Sequence, residues 1–330
     1  MKAELLTLCE TFIAYRDIAK ETFKWDSYRT YPICANIFLA RNAAADAQTL
    51  LRCRDIIKEQ TGIFSNFRGY LRPALASLLA VSENPEEKMA RAVENYDILR
   101  REFFGSEYLA LVAFLLAEVA NRADVEEKAG RGREIYNRMR KEHPFLTSSE
   151  DSVFAVMMAF SAQDNDALIE DMEACYTALR ARFFRGNALQ TASHVLAMRD
   201  GNAQEKADRV IALYDSLRQA GIKYGRDMEL ATLAALAVMD VDLPTVAEEI
   251  GQVDEYLSHQ KGYGFFGPGK AVRAMHAAMI VSDLYTPRET VNTAALTGTL
   301  SMIIAQQMAM CAAMVSASSA SSTAASSSSH

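Results

Sequence analysis

The chain lacks any Cys-x-x-Cys pair. Its five cysteines, Cys9, Cys34, Cys53, Cys175 and Cys311, are odd in number and scattered, so neither a disulfide framework nor a zinc site is indicated. They read as small buried hydrophobes in a reducing compartment. Basic charge is also short: 35 Lys and Arg stand against 42 Asp and Glu, a formal net charge of −7. Binding to nucleic acid requires a basic face that neutralises phosphates, so nucleic acid is set aside as the main partner. Period-2 apolar runs bounded by tight-turn dipeptides are missing, which argues against sheet. No Gly-x-Ser-x-Gly elbow, His-Glu-x-x-His pair or EF-hand spacing occurs. Gly262, Gly264, Gly267 and Gly269 cluster without a strand before them, so they read as an inter-helix loop and not a phosphate cradle. None of the five histidines pairs with another at i+3 or i+4, and neither a metal site nor a resident cofactor is expected. Glu4 and Glu10 interrupt the first apolar run, unlike a signal peptide, which leaves a cytoplasmic location as the expectation.

What the chain does have is a period. An aromatic or aliphatic pair recurs at Ile63-Phe64, Phe103-Phe104, Phe145-Leu146, Phe183-Phe184 and Phe265-Phe266, with Ile222-Lys223-Tyr224 between the last two. Tyr96, Tyr136, Tyr176, Tyr214 and Tyr256 follow one another at 40, 40, 38 and 42 residues. The text around these tyrosines also repeats, as in Asn95-Tyr96-Asp97-Ile98-Leu99-Arg100 and Leu213-Tyr214-Asp215-Ser216-Leu217-Arg218. Two series in phase define a repeat of about 40 residues, the signature of stacked supersecondary units.

Each unit holds two helical patterns. The first is apolar around most of its circumference, over Tyr108 to Ala120, Val153 to Phe160, Ala188 to Met198 and Met228 to Met239, and predicts burial between neighbours. The second is amphipathic, with Met89, Ala92, Val93, Tyr96 and Leu99 at 3- and 4-residue steps. Asn84-Pro85-Glu86-Glu87 reads as a helix start, and Ser106 or Gly105, Ser148 and Asn187 as N-caps after the aromatic pair. The pair itself is expected to fill the seam between units. The predicted class is all-α: tandem helix hairpins forming a solenoid, with a closed α/α toroid as the alternative. Residues 1–23 form an amphipathic capping helix, 24–290 the array, 291–316 a charge-free Ala/Met-rich terminal helix and 317–330 a disordered Ser/Ala tail.

From Val291 to Ser329 there is no charged residue. A helix from Pro287 to Ser316 would be roughly 45 Å long at 1.5 Å per residue, more than a bilayer core requires. Burial against the array, self-association or partner binding, and membrane insertion all remain open for this segment. Gln306 and Gln307 count against insertion. Ser301, Ala305, Ala309 and Ala313 form a small-residue stripe at i+4 that favours close helix contact.

Polar residues on the apolar helices nominate a groove. His194 and His276 each lie ten positions after the second aromatic of their unit, with Gln190 and Arg273 on the same faces. Arg72 and Glu229 complete the candidate binding set. Glu107, Glu150, Asp151, Asp227 and Glu229 near helix starts complement the helix dipole, or supply paired carboxylates if the array closes on a pocket.

Several strings, among them Gly62-Ile63-Phe64-Ser65-Asn66-Phe67-Arg68-Gly69-Tyr70, Phe145-Leu146-Thr147-Ser148-Ser149-Glu150-Asp151, Phe184-Arg185-Gly186-Asn187 and Ile303-Ile304-Ala305-Gln306-Gln307, give the chain a further character. Over nearly its whole length it resembles the uncharacterised bacterial helical family catalogued as domain of unknown function 4003. The resemblance implies a bacterial, helical, cytoplasmic protein and carries no activity or functional residue with it. The first expectation is therefore a non-enzymatic helical-repeat scaffold that binds a protein or peptide. An α/α-toroid enzyme with a central acidic and histidine pocket is the second. The third is a membrane-associated assembly protein using 291–316, peripheral or tail-anchored at the inner membrane.

Overall fold

A computed structural model describes residues 1–26, 29–227, 229–265 and 267–285. The segments 291–316 and 317–330, with Cys311, lie outside the described residues. Among those described there are fourteen α-helices, one 3-10 turn at Asn66–Arg68 and no strand. The first eight helices are α1 (Ala3–Thr22), α2 (Tyr31–Ala40), α3 (Ala47–Gln60), α4 (Arg72–Ala80), α5 (Pro85–Leu99), α6 (Glu107–Val119), α7 (Arg122–Glu142) and α8 (Asp151–Met158). They are followed by α9 (Asn165–Leu179), α10 (Asn187–Ala197), α11 (Ala203–Gln219), α12 (Glu229–Ala237), α13 (Leu243–Ser258) and α14 (Lys270–Tyr285). None of the described helices is long and apolar enough to cross a membrane.

Two kinds of helix alternate. Every residue of α6 from Tyr108 to Ala117 is buried, as are all of α8 and α12. Their Ala, Leu, Val and Met side chains leave no wet face, so these helices must be covered on all sides. In α3 only Leu50, Cys53, Ile56 and Ile57 are buried, and in α5 the buried set is Met89, Ala92, Asn95, Ile98 and Leu99. That spacing turns a single stripe inward and leaves charge outside. The even-numbered helices are called inner and the odd-numbered ones outer below.

The chain divides into two compact units. One contains Leu6–Asp171, and the other Met1–Leu5 with Met172–Tyr285. In the first, α3 packs on α4, α5 on α6 and α7 on α8, while α5 also lies against α3 and α7. Inner helices meet directly as well, α2 on α4 and α6 on α8. In the second unit α11 packs on α12 and α13 on α14, with α11 against α13 and α12 against both α10 and α14.

Helix starts carry their own chemistry. Ser106 accepts the Leu109 N–H at 3.1 Å, Asp46 that of Thr49 at 2.7 Å, and Asp242 that of Thr245 at 3.0 Å. Asn121 and Asp124 form a reciprocal capping box. Three expected caps differ. The Asn84 side chain makes no cap bond, because Pro85 already removes one orphan donor. Ser148 precedes α8 by a turn, and there Asp151 accepts the Ser148 N–H at 2.7 Å. Asn187 is itself the first residue of α10.

The aromatic pairs split. Phe103 and Phe183 are buried and meet the tyrosine of the following outer helix edge-on, Phe103–Tyr136 at 5.8 Å and Phe183–Tyr214 at 5.1 Å between ring centroids. Phe67 meets Tyr96 in the same way at 5.3 Å. The second members, Phe104 and Phe184, point into solvent, as do Ile63, Phe64, Phe145 and Phe265. The expectation that both members fill a seam therefore holds only for Phe103 and Phe183, the first members of two of the pairs. Rigid edge-to-face packing accepts one ring per junction, and the short link to the next helix turns its neighbour outward.

Candidate functional site

The nominated polar residues fall in both units. In the unit Leu6–Asp171, Arg72 opens α4 and is ion-paired with Asp26 at 2.7 Å. In the other unit, Gln190 and His194 sit one turn apart on α10, Glu229 opens α12, and Arg273 and His276 lie on α14. Gln190, His194, Glu229 and His276 are all buried, so they do not present an open polar groove as the sequence pattern predicts. The reason is the helix they occupy: an inner helix is packed around its whole circumference, and a polar side chain on it is enclosed with the rest. His276 Nδ1 lies 2.8 Å from the Tyr263 hydroxyl, and the two rings meet edge-on at 5.7 Å. Arg273 grips Asp254 through a fork of 2.8 and 2.7 Å.

The acidic residues at inner-helix starts do structural work too. Glu107 accepts the Leu71 N–H at 3.0 Å, tying α6 to the first turn of α4. Gly69 makes room for it, since a Cβ there would overlap the carboxylate. Glu150 accepts the Tyr108 hydroxyl at 2.9 Å, tying α8 to α6. Glu229 lies against Gly225 in a similar fit, with Oε2 buried. Burial raises the proton affinity of Glu107, Glu150 and Glu229 above the usual carboxylate range, because the charged form loses water. Asp227 is exposed. Among the described residues no group of three or more His, Cys, Asp or Glu could hold a metal ion.

Three arginines that the sequence pattern did not nominate stand in the same register, five residues before Tyr96, Tyr136 and Tyr214. Each reaches from an outer helix to the carboxyl end of the inner helix that follows it. Arg91 donates to the Ala120 carbonyl at 2.8 Å. Arg131 donates to the carbonyls of Ala159 at 3.0 Å and Ser161 at 2.7 Å, to that of Gln163, and to the Asn165 side chain at 2.9 Å. Arg209 donates to the carbonyls of Ala237, Met239 and Val241 at 2.7, 2.9 and 3.0 Å. A guanidinium suits this position, because its planar fork answers several orphan carbonyls while its charge opposes the negative end of the helix dipole. The 40-residue register itself was the signal that could have revealed them.

The surface is divided by chemistry. Turns from an inner to the next outer helix are acidic: Glu83, Glu86, Glu87, Glu126, Glu127, Asp164 and Asp166 are exposed. Two clefts open there, both in the first unit. One is lined by Arg41, Glu83, Asn84, Glu87, Lys88, Arg91 and Glu118, the other by Arg131, Asp164, Asp166 and Glu170. Lys88 bridges to Glu118 at 3.0 Å, and Arg41 holds the same carboxylate at 2.5 Å. Turns from an outer to the next inner helix carry the exposed aromatics instead, with Trp25, Phe64, Phe104, Phe145, Phe184 and Phe265 between 81% and 99% exposed.

Against known proteins, the family model described as "Protein of unknown function (DUF4003)" matches residues 14–309. The chain is 26% identical over 300 residues to the "Uncharacterized protein YeaA" of Bacillus subtilis (strain 168), covering 86% of each chain. No solved structure matches. With the match running from the first helix past the last described one, the chain belongs to the family of protein of unknown function DUF4003.

Proposed function

We propose that the protein is a non-enzymatic helical-repeat scaffold, built from hairpins of about 40 residues laid side by side, whose work is to bind a protein or peptide. The observation that carries this reading is the register of the internal contacts. Arg91, Arg131 and Arg209 anchor the ends of inner helices from one repeat position, and Phe67, Phe103 and Phe183 meet the next outer helix through Tyr96, Tyr136 and Tyr214. Units that hold one another this way give extended surfaces for a partner and tolerate variation on their turns. The cleft at 161–170, where Asp164, Asp166 and Glu170 outnumber Arg131, favours a basic segment as the bound element. Glu107 and Glu150, the carboxyls with raised proton affinity in the first unit, are occupied in joining inner helices.

A photocrosslinking side chain placed at Glu87 and at Asp166 in cells of the source bacterium tests the reading. Discrete adducts with a protein are expected at both positions and absent at the solvent-facing Gln48, which lines neither cleft. Adducts that form equally from all three positions, or from none, overturn the assignment of the acidic turns.

A further inference from the structure

The outer-to-inner turns carry a second surface, independent of the clefts. In the unit Leu6–Asp171 four such turns each present an aromatic side chain at 90% exposure or more: Trp25, Phe64, Phe104 and Phe145. Water penalises such a display, and one wet aromatic at each of four successive turns is a regular array and not a single scattered residue. At three of the four turns the exposed charge beside the aromatic is mainly basic. Lys24 adjoins Trp25, Arg100 and Arg101 precede Phe104, and Arg140 and Lys141 precede Phe145, all exposed. One exposed acid stands at each turn, Glu21, Glu59, Glu102 and Glu142, and at the Phe64 turn no exposed base offsets it. At the inner-to-outer turns the sign reverses, although the chain as a whole carries −7. The unit is thus polarised, basic and aromatic on one set of turns, acidic on the other. The second unit repeats the chemistry, with Phe184 between Arg180 and Arg185, and Phe265 after Lys261.

We infer that the outer-to-inner turns dock on the surface of an anionic phospholipid bilayer, the aromatic tips entering the headgroup region while the flanking Lys and Arg meet lipid phosphates. The aromatics are isolated knobs on separate turns, not the walls of a groove. A folded protein would need a matching pocket for each, whereas a fluid interface admits them all. Trp and Phe settle at that depth, and basic side chains add attraction to anionic lipid that fades with salt. None of the described helices is long and apolar enough to cross a membrane, and the proposed contact uses the turns alone.

Trp25 is the single tryptophan of the chain and lies on the proposed face, so the unlabelled protein reports on itself. The full chain is mixed with unilamellar vesicles of phosphatidylcholine alone, or with about a third phosphatidylglycerol, and followed by co-sedimentation and Trp25 emission. Binding to the anionic vesicles with a blue shift of Trp25, quenched by brominated acyl chains, is expected, with little binding to neutral vesicles. Combined Arg100→Glu, Arg101→Glu and Arg140→Glu is expected to weaken the affinity at least about tenfold, as is raising the salt several-fold. Phe104→Ser with Phe145→Ser is expected to reduce binding while circular dichroism stays that of the parent. No co-sedimentation overturns the inference. So does co-sedimentation without a change at Trp25, which places the contact elsewhere. So does a parent that is dimeric by sedimentation velocity and becomes monomeric on the Phe substitutions, since the face then serves a second copy of the chain.

Discussion

Phe103 and Phe104 are adjacent and chemically identical, yet the fold uses them in opposite ways. Phe103 is 5% exposed and closed against Tyr136, while Phe104 is 91% exposed. Removing a buried ring costs its transfer free energy and leaves a cavity, whereas removing a wet one costs almost nothing. Phe103→Ala is therefore expected to destabilise the protein by about 3–5 kcal/mol. Phe104→Ala should stay within about 0.5 kcal/mol of the parent. Urea midpoints at unchanged slope check both, and comparable losses would show that the two rings share one environment. The cysteines follow the same rule of enclosure. Cys9, Cys34, Cys53 and Cys175 are buried and form no disulfide among the described residues, and burial pushes the thiols of Cys9 and Cys34 up to about 12 and that of Cys53 up to about 11.

At the scale of the helix, the recurring problem is the carboxyl end of an inner element. Such an end has four carbonyls without intrahelical donors, and burial cuts them off from water. The chain supplies an arginine from the outer helix of the same hairpin, so an electrostatic need is met by a residue that also fixes where the two helices cross. For Arg131, three carbonyls and one side-chain amide depend on a single guanidinium. Arg131→Ala is expected to cost about 2–3 kcal/mol, the scale of charge-assisted bonds lost at once. Arg131→Lys should recover only part, since an ammonium cannot fork. Arg122→Ala, on the same helix but paired in the open with Glu94 and Glu126, is expected to leave the unfolding midpoint unchanged. Calorimetry of the three variants checks the order; equal effects at 122 and 131 would sink it.

At the scale of the molecule, acids at the inner-helix starts make stability depend on pH. In the native state Glu107, Glu150 and Glu229 bind protons more tightly than an ordinary glutamate, because their charged forms are desolvated. Just above the usual glutamate range the folded chain then holds protons that the unfolded chain has released. Stability from these groups falls as pH rises through that window and is constant above it. Glu229→Gln stays neutral throughout. Relative to the parent, its melting temperature is expected to rise between about pH 4 and about pH 7. A difference between the two melting curves that is flat in pH would refute this. Glu150→Gln is the less clean test, since it also alters the bond from Tyr108.

Much of the element structure was written in local pattern. Tyr108–Ala117 reads as an enclosed helix because it offers no polar face, and Met89 to Leu99 as a surface helix because its apolar side chains fall on one stripe. Asp46, Ser106 and Asp242 announce their caps for the same reason: a short polar side chain meets a donor three residues away. The site was not legible in this way. His194 and His276 lie on inner helices, but period alone cannot tell a groove-facing position from an enclosed one when every side of the helix is covered. Nor could it show which phenylalanine of a pair would be packed, or that Arg131 would close the end of α8 from 28 to 32 residues away. Intervals of three and four residues are set by the geometry of one helix, so sequence fixes them. Which side chain is shut in and which left wet depends on the neighbouring helix, and only the packed fold brings that neighbour into place.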